Sequence, residues 1–198
     1  VGARLLHVVV LDDAGGLVES RVDDTASEAV RRLARSLAAA GVTRAAVDAP
    51  SGLSELPHVG DASLAPKFRA ARCGEVALGR DRGIWVPWVS PAGPPVAPWI
   101  AVGLSVFAAL AGAGIEAVET FPQAVFRTMN AGGRVPAKSR PEGIAARAAL
   151  LSKAGIDHAS LPLWSHDGLD AAAAALVAAG PSVAVTCGHD GSAIWLPA

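Results

Sequence analysis

Twice in this chain an apolar run of strand length stops at a carboxylate, with a proline close behind. The first is "RAAVDAPSGL", Arg44 to Leu53, where Asp48 closes the run and Pro50 follows. The second is "IEAVETFPQ", Ile115 to Gln123, where Glu119 closes the run and Pro122 follows. Proline has no N–H for a strand ladder, so each run ends at or near its acid. Both runs are short and unalternating, the pattern of a strand covered on both faces. Each follows a segment of helical spacing, and helix followed by covered strand is the repeating half of an α/β domain.

The other segments extend this reading. Leu5 to Leu11 and Leu17 to Val22 flank the turn signal "DDAGG" and predict a β-hairpin. Val30, Leu33 and Leu37 fall at helical spacing, with Thr25 or Ser27 as the cap and an end before Gly41. Thr43 to Asp48 is then a strand. Ala65 to Leu78 has helical character. Arg82 to Pro98 is a proline-rich loop carrying Trp85 and Trp88, and a loop this long is either functional or packed down by its tryptophans. Pro98 opens a helix over Trp99 to Ala111, Ile115 to Glu119 is a strand, and Pro122 opens a short helix towards Met129. Ser139 and Glu142 have capping-box spacing before a helix over Ile144 to Ala154. An alanine-rich helix begins near Ser165, and strand-like runs at Val183 to Cys187 and Ala193 to Leu196 complete a three-layer α/β domain spanning residues 1–198.

Composition narrows the function classes. A formal net charge of −1 over 198 residues is no global basic footprint, which argues against a protein that coats nucleic acid. Basic residues do cluster locally: Lys67, Arg69, Arg72, Arg80 and Arg82 in one stretch, Arg127, Arg134, Lys138 and Arg140 in another. Either stretch could contact phosphates, although charge runs are more often solvated faces. Cys73 and Cys187 are far apart and form no CxxC, so neither a disulfide framework nor a zinc site is expected. No segment has the length of a membrane span, and with no secretory leader to read, a cytoplasmic protein is the default.

Ligands of an open α/β sheet bind beyond the carboxyl ends of its strands. Asp48 and Glu119 would share that edge if their strands were neighbours. Asp167 and Asp170, three apart on one face of the alanine-rich helix, could join them. Asp167 is equally explained as a first-turn helix acid, whereas Asp170 lies deeper and is followed by small residues that permit close packing. Such carboxylates suit Mg2+ or Mn2+, which would activate water and stabilise the leaving oxygen of a phosphodiester. His166 and His189, each beside an aspartate, are candidate proton donors or simply surface turns.

Several blocks, taken in order, resemble the domain of unknown function 429 family, predicted nucleases with a ribonuclease-H-like fold. They are "VDAPSGL" (Val47 to Leu53), "RAARCGEVALGR" (Arg69 to Arg80) and "VETFP" (Val118 to Pro122). Lys138, Pro141, Glu142, Gly143, Arg147, Leu150 and Leu151 then match a Lys-x-x-Pro-Glu-Gly block, followed by "DGLDAAAA" and "GSAIWLP". The resemblance implies a ribonuclease-H-like mixed sheet with helices on both faces. It also implies a site of Asp48, Glu119 and Asp170, with Asp167 a further metal ligand, for Mg2+ or Mn2+. Arg72 and Lys138 match positions that would face a phosphate, and nucleic acid is the implied substrate. The family's first, central strand carries an acid that this sequence does not show, since Asp12 and Asp13 lie in the hairpin turn. The expectation is a fold whose first strand is missing from this chain. Three functions follow: a metal-dependent nuclease or other phosphodiester hydrolase, a non-catalytic binding or scaffold protein with a degenerate site, and, ranked last for want of a Gly-rich phosphate loop, a small-molecule phosphotransferase.

Overall fold

The computed structural model describes residues 5–156 and 165–198. Its elements run β1 (Leu5–Leu11), β2 (Leu17–Asp24), α1 (Ser27–Ala39), β3 (Arg44–Val47), α2 (Pro66–Arg69), α3 (Cys73–Arg82) and α4 (Pro98–Gly112). They continue as β4 (Glu116–Glu119), α5 (Pro122–Met129), α6 (Pro141–Lys153), α7 (His166–Ala179), β5 (Ser182–Val185) and β6 (Ile194–Pro197). The chain is an α/β protein with small sheets, and no described helix is long and apolar enough to cross a membrane.

Among the described residues the strands form three two-stranded ladders instead of one mixed sheet. β1 pairs antiparallel with β2, β3 parallel with β4, and β5 antiparallel with β6. A single bridge from Thr120 to Trp195, with the Thr120 hydroxyl donating to the Trp195 carbonyl at 2.8 Å, links the second ladder to the third. Between β1 and β3 there is no pairing. A cavity of about 960 Å³ lies there, lined by both strands, by Leu33 and Leu37 of α1, by Val106 and Leu110 of α4, and by Ala171 and Ala174 of α7. This gap explains why β1, apolar except for His7, has no fully buried residue.

Side chains on the strands alternate between two clusters, as a pleat dictates. Val9, Leu11 and Ala46 pack against the larger core, which is built on α3, α5, α6, α7 and β6. Leu6, Val8, Val10, Ala45 and Val47 pack instead towards Leu33, Leu37, Leu110 and Ile115. Helices therefore cover both faces of β1 and β3. The alanines of α7, with Ala172 and Ala173 fully buried, let that helix lie close over both strands.

Two helix starts differ from expectation. Neither Thr25 nor Ser27 caps α1: Ala26 is the cap residue, and its N–H donates to Asp24 Oδ1 at 2.9 Å. α6 starts at Pro141, whose fixed φ suits a first helical position, so Arg140 and not Ser139 stands at the cap. Ser165 does cap α7, accepting from the Gly168 N–H at 3.1 Å. The larger correction concerns sulfur. Cys73 and Cys187, 114 residues apart, form a disulfide. Spacing gave no sign of it because the pair is brought together by tertiary structure alone.

Candidate active site

The two strand-end acids sit in different surroundings. Asp48 follows β3 at the rim of the cavity, where α7 brings Asp167 and Asp170. Its carboxyl is raised to about 7, first by the low-polarity walls around it, then by the Asp170 charge, with Asp167 and Glu119 adding and Lys138 opposing. The residue as a whole is nonetheless exposed, so solvent screens part of that burial effect. Asp170 is buried and also raised, by burial first, with the hydrogen bond and charge of Lys138 pulling the other way.

Lys138 is the cation of this group. Its Nζ donates to Asp170 Oδ2 at 2.6 Å and lies 3.8 Å from Asp167 Oδ1. Burial acts to lower its pKa, but Asp170, Asp48 and Asp167 outweigh that and hold it above the ordinary lysine value. Asp167 is exposed and also pairs with His166 Nδ1 at 2.7 Å. It is not the cap of α7, a role that Ser165 fills. His189 lies in the turn after β5, near His58 and away from Asp48.

Two glycines bring this constellation together. A Cβ on Gly103 would sit 2.3 Å from the Ala49 Cβ, so only glycine lets α4 press on the turn that follows Asp48. A Cβ on Gly143 would meet the Ala137 carbonyl oxygen at 2.0 Å, so the first turn of α6 lies directly against the segment that presents Lys138. Arg147, one helical turn on, fixes the same segment by donating to the Pro136 carbonyl at 2.8 Å and to Gln123 Oε1 at 2.6 Å.

Glu119 departs from the metal ligand expected of it. Arg72 Nη1 and Nη2 donate to its two oxygens at 2.7 and 2.5 Å, and Ser51 donates from both N–H and hydroxyl to Oε2. Arg72 is 2 % exposed and Glu119 6 %. Arg72 also donates to Glu75 Oε1 at 3.2 Å and to the Ser90 hydroxyl at 2.9 Å. This corrects the reading of Arg72 as a phosphate contact: its guanidinium is engaged inside the protein. Three other cations of that stretch also bond to the protein itself, although Lys67, Arg80 and Arg82 are solvent-exposed. Lys67 donates to the Val86 and Pro87 carbonyls, Arg69 to that of Leu64, and Arg80 pairs with Asp61 at 2.7 Å. Lys67 thereby fastens the long loop, helped by Trp85, whose ring lies 4.4 Å from that of Phe68; Trp85 is partly exposed and Trp88 more so.

The structure thus brings Asp48, Asp167, Asp170 and Lys138 together and leaves Glu119 in a neighbouring cluster, paired with Arg72. Ser51 connects the two, three residues beyond Asp48 and bonded to Glu119. Sequence reasoning missed Ser51, Ser90 and Glu75. Only Glu75 left a local signal, since an acid at the third position of α3 can accept from the Arg72 N–H, as it does at 2.9 Å. For Mg2+ or Mn2+, the oxygen donors Asp48, Asp167 and Asp170 are of the right chemistry, and the raised carboxyl of Asp48 marks negative charge short of a partner. Among the described residues, however, three ligand atoms come within 4.8 Å of one another only at His58, Cys73 and Cys187. The carboxylates are spaced more loosely, with Lys138 among them.

No curated protein and no solved structure matches the chain. The model of one family, described as "Protein of unknown function (DUF429)", matches residues 103–187. That segment holds Glu119, Lys138, Asp167 and Asp170, whereas Asp48 and Arg72 lie before it. Over residues 103–187, less than half of its length, the chain is similar to the DUF429 family of proteins of unknown function.

Proposed function

We propose that the rim of the cavity between β1 and β3 is a divalent-cation site for phosphoester hydrolysis, on a ribonuclease-H-like arrangement of strands. The observation that carries this reading is the convergence of Asp48, Asp167 and Asp170 on one lysine at the carboxyl end of β3. That is where open α/β sheets hold their ligands. Asp48, Asp170 and Asp167 would hold Mg2+ or Mn2+, and the ion when bound supplies charge stabilisation to a phosphoryl oxygen. Asp48, with its carboxyl near 7, is suited to accept or hold a proton at neutral pH. The Lys138 ammonium is half exposed and has donors beyond the one given to Asp170, so it can steady a phosphate oxygen. Glu119 contributes by position: held by Arg72, it fixes Ser51 and hence the turn after Asp48.

The test is cleavage of labelled single- and double-stranded DNA and RNA, and of a small phosphodiester, with Mg2+ or Mn2+. Asp48→Asn and Asp170→Asn should each abolish turnover, and undiminished activity in Asp48→Asn would overturn the assignment. A non-catalytic binding protein is the second reading. It is favoured by one specific feature, the Lys138–Asp170 pair at 2.6 Å, which already supplies a cation to the acids. If calorimetry finds no Mg2+ or Mn2+ bound at millimolar concentration, this second reading stands.

A further inference from the structure

His58, Cys73 and Cys187 converge from three separate parts of the chain. His58 lies in the loop before α2, Cys73 is the first residue of α3, and Cys187 follows β5. Cys73 is fully buried and His58 is 6 % exposed. The His58 Nε2 lies 3.6 Å from Cys187 Sγ, and the ligand atoms of all three residues lie within 4.8 Å of one another. In the disulfide form a sulfur is a poor partner for a buried imidazole nitrogen. Two thiolates and an imidazole, by contrast, are the donor set of zinc, whose bonds of about 2.0–2.3 Å place its ligands roughly 3.3–3.8 Å apart. Side-chain rotation covers the remaining distance once the sulfurs are free of each other. Cys73 also has its thiol at a helix N-terminus, which favours the thiolate. Its N–H is held by Asp190 Oδ2 at 3.0 Å, and Asp190 in turn accepts from the Ser192 N–H and hydroxyl. The charged pair Asp61–Arg80 lies near enough to His58 for both charges to act on it.

We propose that His58, Cys73 and Cys187 form a zinc site that exists only when the disulfide is reduced. The protein would then be cross-linked by sulfur in an oxidising compartment and by zinc in a reducing one. A dithiol reductant supplies two electrons and two protons, is itself oxidised to a disulfide, and leaves Cys73 and Cys187 as thiols. Zinc binding then releases the two thiol protons. Either link ties the start of α3, and so Arg72, to the turn after β5. The inference uses none of the residues assigned to phosphoester chemistry and stands apart from it.

The experiment uses the whole chain, oxidised or reduced with a phosphine under anaerobic conditions. Zinc affinity is measured by competition with a chromogenic chelator, and Co2+ is added as an optical probe. The reduced chain should bind one zinc and the oxidised chain none at this site. Co2+ should give a thiolate-to-metal charge-transfer band in the near ultraviolet. Cys187→Ser should remove that band, and His58→Ala should weaken zinc by roughly tenfold or more, at least what loss of an outer-shell partner costs. Because Cys73 is wholly buried and its replacement risks misfolding, Cys187→Ser carries the test. Equal zinc affinity in both redox states, or no charge-transfer band in the reduced chain, overturns the proposal. So does loss of zinc binding in Asp48→Asn, which would place the metal at the carboxylates.

Discussion

Arg72 grips both carboxylate oxygens of Glu119, at 2.7 and 2.5 Å, although the two residues are 47 positions apart and both are buried. The same guanidinium serves Glu75, so one cation holds two buried anions. Removing one partner of a buried ion pair typically costs about 3–5 kcal/mol, because the other is left without compensation. Arg72→Met should therefore destabilise more than Glu119→Gln, which leaves Arg72 its bond to Glu75. Urea denaturation midpoints of the two variants check this order, and the reverse order would show that Glu75 contributes little.

The carboxyl of Asp48 gives a pH signature. Its pKa in the folded protein, about 7, lies above the ordinary aspartate value, so the folded state binds the proton more tightly than the unfolded state does. The stability linked to this group is complete below about pH 4 and is lost as pH rises through about 7. Thermal unfolding followed from pH 4 to 8 should show that decline, and Asp48→Asn should flatten it. Mg2+ or Mn2+ should raise the melting temperature more at pH 8 than at pH 5, since the ion competes with the proton. Equal effects at both pH values would separate the ion from Asp48.

Gly143→Ala should disturb the site from outside. Its Cβ would meet the Ala137 carbonyl oxygen at 2.0 Å, and backbone cannot yield as a side chain can. A loss of about 1–3 kcal/mol is expected for overpacking of this kind. Lys138, next to Ala137, would shift with it. Binding of a phosphate-bearing ligand should weaken in Gly143→Ala by more than in a surface control such as Arg32→Ala, on the exposed face of α1.

The disulfide closes a long loop, and disulfides are worth about 2–5 kcal/mol, the upper end belonging to long loops. With zinc excluded by a chelator, Cys187→Ser should be destabilised by that amount relative to the oxidised protein. In the reduced protein the same substitution should cost little under those conditions.

What the sequence disclosed was local. Asp48 and Glu119 could be placed at strand ends because an apolar run, an acid and a proline are neighbours in the chain. The helix of Asp167 and Asp170, and the hairpin around "DDAGG", were legible for the same reason. What it hid was tertiary. Arg72 and Glu119 are joined across 47 positions, and Cys73 and Cys187 across 114. Nothing in the spacing marks either pair. The caps failed for local reasons: Pro141 fixed the start of α6 one residue later than Ser139 allows, and α1 opens on Ala26, which makes no side-chain cap hydrogen bond. The break between β1 and β3 lies beyond periodicity altogether, since an apolar strand looks the same whether or not its neighbour is present.

That break sets how the molecule opens. The hairpin of β1 and β2 is held to the remainder by side-chain packing on α1 and α7, with no ladder to β3. Peeling it away would sever no backbone pairing elsewhere, so the hairpin is a separable cooperative unit with its own opening free energy. Its amide hydrogens should exchange with solvent as one group, ahead of those shared by β3 and β4, so the first event in unfolding would be a partition of the domain.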